Sequence, residues 1–159
     1  MSKDKNKKSM KQIKINIPVG YEIDKENSTF ECIKFKPKSK VYWSDEYHTV
    51  VVEYADESFV VHPYPTMIMN FNEANKFVDN FNIHYKLPTV GQLFAISTLL
   101  GDINKALYSH NMFPLQTEIS YWSNEEVADM SAFCVYIGDG KEDWQSRTDL
   151  AAVRLVSEL

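Results

Sequence analysis

The spacing of apolar residues divides the chain into strands, then helices, then strands again. In "KQIKINI" (residues 11–17) isoleucines alternate with Lys and Asn, and "TFECIKFK" (residues 29–36) alternates in the same way. This period of two predicts two half-buried strands. Pro18, Gly20 and the polar "DKENS" cluster lie between them and are typical of a turn. We therefore predict a small β-hairpin, followed by a basic linker, "KPKSK".

Beyond residue 40 the pattern first predicts two strands in "HTVVVEYADESFVVHPYP" (residues 48–65), around a turn at Asp56-Glu57. Helical spacing then begins in "NFNEANKFVDNF", where Asn70 and Glu73 match the spacing of a capping box. A second helix, "VGQLFAISTLL", has the same kind of start in "TVGQ". We expect Gly101 to end this second helix and the following aspartate to cap a short third helix.

The C-terminal third returns to short apolar or alternating runs, which are "EISYW", "SAFCVYI" and "AAVRLV". Strands, two to three helices and then strands, without βαβ alternation, predict an α+β fold with mostly antiparallel sheets. The expected organisation is a disordered basic tail (1–10), a hairpin module with its linker (11–40) and a main domain (41–159).

The charge of the chain is distributed unevenly. Residues 1–40 carry a net charge of +6 and residues 41–159 carry −11, although the whole chain carries only −5. An acidic main domain argues against nucleic-acid binding, because contacts with phosphates need clustered cations. An aromatic content of 13% is high enough to favour a β-rich core.

Few residues are spaced for metal binding or catalysis. Cys32 and Cys134 have no CxxC or nearby histidine, so both are expected to be buried free thiols. "WSNEE" and "GDGKED" offer oxygen atoms to a hard cation but lack the spaced ladder of a calcium loop, and Lys141 opposes a cation. The histidines His48, His62, His84 and His110 are scattered. We predict no metal, no cofactor and no enzymatic activity.

Three stretches, "YKLPTVGQL" (85–93), "YWSNEE" (121–126) and "AAVRLV" (151–156), occur in the order and at the approximate spacing of a known family. Together they resemble bacterial C-type-lectin-like domains of the Lcl type, which show WRLPT-x-x-EL, YWSS and VRPV at these places. The resemblance covers roughly residues 48–159. The departures from the family pattern are Tyr85-Lys86 for Trp-Arg, Gln92 for Glu, Asn124 for Ser and Leu155 for Pro.

The resemblance implies a C-type-lectin-like domain in which the first and last strands, "TVVVEY" and "AAVRLV", pair with each other. It also implies that Trp122 anchors the core while the next residues help the chain turn, and that Glu125 and Glu126 face solvent. The residues that we expect to have structural roles are Tyr121, Trp122, Pro88, Thr89 and Arg154. The N-terminal "IKINIPVGYEIDKENSTFECIKFKP" resembles a portable module that precedes many unrelated bacterial and bacteriophage proteins.

In the family, long loops between the YW strand and the last strand often form the recognition face. Here those loops would be residues 123–129 and 138–149, where a tryptophan lies among charged and amide side chains. The expected function is non-enzymatic recognition or adhesion, with a protein or a glycan as ligand. The predicted binding residues are Asn124, Glu125, Asp139, Lys141, Trp144, Gln145 and Arg147.

The alternative is a structural or assembly protein of a bacteriophage virion, such as a decoration or fibre component, which self-associates through the N-terminal hairpin. Trp144 also has an alternative, because its side chain could fold under its own loop. The N-terminus has no apolar core of a signal peptide, and no stretch is long enough to insert into a membrane. We therefore expect the protein to be synthesised in the cytoplasm. In the alternative, it is later incorporated into a virion.

Overall fold

A computed structural model describes residues 15–29, 32–128 and 130–159. Within these ranges, three helices and mostly antiparallel sheets confirm the predicted α+β class. The predicted tail (1–10) and the start of the first predicted strand lie outside the described residues.

The helices are α1 (Phe71–Phe81), α2 (Val90–Thr98) and α3 (Leu100–Ser109). The strands are β1 (Tyr21–Ile23), β2 (Phe35–Pro37), β3 (Ser39–Ser44), β4 (Thr49–Tyr54), β5 (Glu57–Val61), β6 (Met67–Met69), β7 (Ser120–Ala128), β8 (Ser131–Tyr136), β9 (Lys141–Ser146), β10 (Ala151–Val153) and β11 (Val156–Glu158).

The strands of the described residues form three sheets. A five-stranded sheet has the order β6-β10-β7-β8-β9, and a four-stranded sheet has the order β11-β5-β4-β3. The pairing of β10 with β7 is parallel, and the other pairings are antiparallel. The N-terminal hairpin, β1 with β2, is a separate two-stranded sheet.

Both faces of the five-stranded sheet are covered. On one face α1 packs over Trp122 and Cys134. On the other face α2, α3 and the four-stranded sheet enclose Tyr121 and Val135. Because successive side chains of a strand point to opposite faces, the neighbours Tyr121 and Trp122 belong to two different apolar clusters.

The last strands join the two larger sheets. "AAVRLV" is not one strand: the chain leaves the five-stranded sheet after β10 and enters the four-stranded sheet as β11, with Arg154 and Leu155 between them. The predicted pairing of "TVVVEY" with this segment is wrong, since β4 pairs with β3 and β5 while β11 pairs with β5. The β4–β5 turn itself is confirmed, and it lies at Ala55-Asp56.

Both predicted capping boxes are present. Asn70 and Thr89 each accept the backbone N–H three residues ahead, from Glu73 and Gln92, whose side chains accept the N–H of the cap in return. The predicted stop at Gly101 is wrong, because α2 ends at Thr98 and Gly101 lies in the first turn of α3.

The start of α3 also differs from the prediction. Leu99 is the residue between the two helices, and no side chain caps α3; Asp102 lies in its first turn instead. Leu99 and Leu100 pack against the core next to Ile103. Apolar burial therefore sets this helix boundary, and the conformational freedom of glycine does not.

The N-terminal hairpin is confirmed, but its strands are not where the alternation predicted them. Residues 15–17 form no strand, and β1 begins at Tyr21. The predicted linker is also wrong: Pro37 ends β2 and Ser39 begins β3, which pairs with β4 along its whole length. Cys32, expected to be buried, is exposed.

Gly20 holds the hairpin against the four-stranded sheet. It has a φ of +77°, and a Cβ placed on it would lie 2.4 Å from the carbonyl carbon of Ala55. Its carbonyl accepts the N–H of Lys38, whose own carbonyl accepts the N–H of Ala55. Only glycine combines this backbone conformation with so close an approach.

Candidate functional site

The "YWSN" stretch is part of the core and lies in the first half of β7. Trp122 is fully buried, its indole N–H donates to the carbonyl oxygen of Met69 at 3.0 Å, and its ring meets Phe71 edge-on. Tyr121 is also buried, and its hydroxyl accepts the N–H of Gln116 at 2.8 Å. The two aromatic rings thus fill opposite faces of one sheet and expose almost nothing to a ligand.

The residues that follow Trp122 are bonded to the start of α2. Ser123 is buried and its hydroxyl accepts the N–H of Glu125. The backbone N–H of Asn124 donates to the carbonyl of Pro88 at 2.8 Å. The carboxylate of Glu125 accepts the N–H of Val90, in the first turn of α2, at 2.8 Å. A negative charge is favourable at this end of a helix, so these contacts stabilise the packing of β7 on α2.

The predicted recognition loops are mostly strands. Residues 123–128 continue β7, with a register shift against β8 between Trp122 and Glu126, and residues 141–146 form β9. The prediction of long loops at 123–129 and 138–149 is therefore wrong in the described part of the chain. The "GDG" turn that joins β8 to β9 is short, and it brings residues 141–146 into register with residues 131–136.

The seven predicted binding residues do not form one patch. Gln145 is half-buried and donates to the hydroxyl of Ser120 at 3.3 Å. Arg147, also half-buried, forms an ion pair with Glu126, and its guanidinium lies 5.5 Å from the ring centre of Phe71. These contacts place both residues on the α1 side of the sheet.

Asp139 and Lys141 lie at the turn that leads into β9. The carboxylate of Asp139 accepts the backbone N–H of Lys141 at 2.9 Å, and both side chains are exposed. Both residues help to form this turn. The ammonium group of Lys141 forms no ion pair within the described ranges.

Trp144 lies on the opposite face from Gln145 and is 62% exposed. In β9 it is directly opposite the half-buried Phe133 of β8, and Glu142 is opposite Val135. Residues opposite each other in an antiparallel pair share a face, so Trp144, Phe133 and Glu142 share theirs. We call this set the Trp144 face. Its outer strand, β9, is an edge of the five-stranded sheet, so Trp144 is not folded under a loop.

The described residues offer little nucleophilic or metal chemistry. Cys134 is fully buried, and burial raises the pKa of its thiol to about 11, so it stays protonated at neutral pH. Within the described ranges, no three His, Cys, Asp or Glu side chains cluster in a way that could hold a metal ion.

A cavity of about 280 Å³ lies beside α1, and no pattern in the sequence indicated it. His62, Tyr64, Phe77, Phe81 and Arg154 are among the residues that line it. Arg154, which we expected to be structural, does join several segments through hydrogen bonds. Two of its lining residues, His62 and Arg154, lie 92 positions apart in the chain, and no local pattern marks such a site.

A comparison with protein-family models finds no match, and a comparison with curated proteins finds none either. In the described part of the chain, no helix is long and apolar enough to cross a membrane.

Proposed function

We propose that the chain is a non-enzymatic recognition or adhesion module that binds a glycan, or a protein, through the Trp144 face. The exposure of Trp144 on a regular edge strand is the observation that carries this proposal. A large aromatic side chain normally buries its ring, and on this strand the fold holds it in solvent instead. The resemblance to bacterial C-type-lectin-like domains of the Lcl type supports the same function.

The chemistry of the Trp144 face favours a glycan. An exposed indole stacks on the apolar face of a sugar ring, and acceptors beside it take hydrogen bonds from the sugar hydroxyls. Glu142 lies two residues from Trp144 on the same face and is exposed, and Ser146 follows two residues later. Phe133 extends the aromatic surface inward. A strand also holds these side chains more precisely than a loop would.

The test is binding of the intact protein to an array of bacterial and host glycans, with Trp144→Ala beside it. Tyr108→Ala is the matched control, because Tyr108 is a similarly exposed aromatic residue on α3. We expect Trp144→Ala to lose binding with its unfolding curve unchanged, and Tyr108→Ala to keep binding. Equal binding by all three proteins would place the ligand elsewhere.

The second candidate function is assembly, in a virion decoration or fibre component that self-associates through the N-terminal hairpin. Tyr21 and Ile23 are opposite Pro37 and Phe35 across β1 and β2, so one face of this two-stranded sheet is apolar. Tyr21 and Phe35 remain 36% and 38% exposed. A two-stranded sheet is marginally stable in water, so a partner surface on this face would stabilise it.

Light scattering on a sizing column tests assembly. Phe35→Ser removes an apolar side chain from that face, and Lys36→Ser changes the opposite face, where Lys36 pairs with Glu22 at 3.6 Å. If the hairpin is the assembly element, the wild type and Lys36→Ser are oligomers and Phe35→Ser is a monomer. Three monomers would exclude assembly through the hairpin.

A further inference from the structure

The cavity beside α1 contains a buried positive charge. Arg154 is 2% exposed and lines the cavity together with apolar and aromatic side chains. Burial lowers the pKa of its guanidinium only to about 10, so the group stays cationic at neutral pH. Among the described residues it forms no ion pair with any carboxylate. A buried charge without a counter-ion is costly, so this cation is unusual in a domain with an excess of acids.

Main-chain dipoles and one hydroxyl compensate the charge only in part. The two terminal nitrogens of Arg154 donate to the carbonyl oxygens of His62, Tyr64, Phe113 and Pro114 and to the hydroxyl of Thr66. The Nε–H is buried and has no acceptor in the described structure. The guanidinium is therefore held rigidly in place in the wall of the cavity, and its net charge has no carboxylate counter-ion among the described residues.

A neutral imidazole lies next to the guanidinium. The His62 ring packs against Tyr64, Phe81 and Tyr85, with ring centres 4.5, 5.0 and 4.7 Å away. Burial first, and then the charge of Arg154, lower the pKa of His62 to about 4. Its ring nitrogens form no hydrogen bond with any of the described residues, so they offer a donor and an acceptor to a ligand.

We propose that this cavity binds a small monocarboxylate with an aromatic or branched apolar body, the carboxylate towards Arg154 and the body between Tyr64 and Phe81. The volume of about 280 Å³ lies near the lower end of ligand pockets, which span roughly 300–1,000 Å³. Such a cavity suits a small molecule, and a longer chain would not fit inside it.

Two other ligand classes fit less well. Aromatic rings around a cavity attract organic cations, but the guanidinium in the same wall repels them. A phosphate would bring two charges and four oxygen atoms to a wall that is mostly apolar and has few donors for them. A single carboxylate leaves fewer oxygen atoms without partners, and its apolar body covers the exposed edges of Tyr64 and Phe81.

The experiment uses the full chain with three probes of one shape: 3-phenylpropanoate, its neutral amide 3-phenylpropanamide, and 3-phenylpropylamine. Binding is followed by the methyl NMR signals of Met67 and Val153, which line the cavity. We expect the carboxylate to shift both signals and to bind about tenfold or more tightly than the amide, because a charged hydrogen bond outweighs a neutral one. The amine should not bind. Equal affinity for carboxylate and amide, or unmoved methyl signals, would overturn the proposal.

Substitution of Arg154 itself is a poor test, because its hydrogen bonds join three segments of the fold. Tyr64→Ala is the informative variant, since the Tyr64 ring is 62% exposed at the rim and only its backbone carbonyl bonds to Arg154. We expect Tyr64→Ala to weaken binding of 3-phenylpropanoate about tenfold with an unchanged melting temperature. Tyr108→Ala, the matched control, should bind like the wild type. Unaltered affinity in Tyr64→Ala would exclude the proposed position of the apolar body.

Discussion

The indole N–H of Trp122 donates to the main-chain carbonyl of Met69, 53 positions earlier in the chain, at 3.0 Å. The bond connects β7 to the end of β6, although these two strands are not neighbours in the sheet. The Trp122 side chain therefore links β7 to β6 across β10, while its ring is buried in the apolar cluster under α1.

Replacing Trp122 with alanine should lower the free energy of unfolding by about 3–5 kcal/mol, as expected for a fully buried large aromatic. Trp122→Phe should cost less, because it keeps most of the apolar volume and loses the hydrogen bond to Met69. Urea denaturation measures both. Trp144→Ala is the control, and it should stay within about 0.5 kcal/mol of the wild type, as is usual for a surface position. A small effect at Trp122 would refute its role in the core.

Arg154→Met should destabilise the fold by about 2–4 kcal/mol, because it leaves several buried carbonyl oxygens without a donor. Methionine keeps part of the side-chain length and removes the charge. The measurement is urea denaturation at neutral pH. Lys86→Met removes an exposed cation that pairs with Glu158 and should cost little. If the two variants were equally stable, the hydrogen bonds of Arg154 would not be holding the segments together.

The stability of the protein should fall as the pH is lowered from about 6.5 to 4, in part because of His62. Its pKa is about 4 in the folded chain against 6.5 for an unperturbed histidine, so the unfolded state binds a proton first and acid favours unfolding. The contribution amounts to roughly 2–3 kcal/mol at pH 4. His62→Gln cannot titrate and should lose less stability over this range. If the wild type and His62→Gln lost the same stability between pH 6.5 and 4, the lowered pKa of His62 would be contradicted.

Gly20→Ala should destabilise the protein by at least about 1 kcal/mol, because alanine is strained at this positive φ and its Cβ would collide with the backbone of Ala55. Gly101→Ala is the matched control. Gly101 lies inside α3, and a Cβ added to it would have no atom within 4 Å, so alanine should stabilise the helix by about 0.5–1 kcal/mol. Thermal unfolding measures both variants. If the hairpin is held at Gly20, the melting temperature falls in Gly20→Ala and rises in Gly101→Ala.

Sequence patterns located correctly those elements whose signals lie within a few neighbouring residues. The capping boxes at Asn70 and Thr89 use side chains three residues apart, and both were located correctly. The pair of strands β4 and β5 was located for the same reason, because two short apolar runs flank a polar turn. The stop at Gly101 failed because the packing of Leu99 and Leu100, a tertiary effect, determines where α2 ends.

The predicted binding surface was only partly informative, for a related reason. The family resemblance predicted a recognition loop at residues 138–149, but strand pairing with β8 decides which side chains share a face. Pairing separates Trp144 from Gln145 and Arg147. The cavity beside α1 is beyond any local pattern, since its lining comes from residues 62–67, from α1 and from residues 153–155, which are far apart in the sequence.

The most direct test of glycan recognition through the Trp144 face is the glycan array with the wild type, Trp144→Ala and Tyr108→Ala. We expect the wild type and Tyr108→Ala to bind the same set of glycans. Trp144→Ala should bind them more than about tenfold more weakly while unfolding at the same urea concentration, as a central aromatic contact requires. Undiminished binding by Trp144→Ala, or no glycan bound by the wild type, would contradict this function.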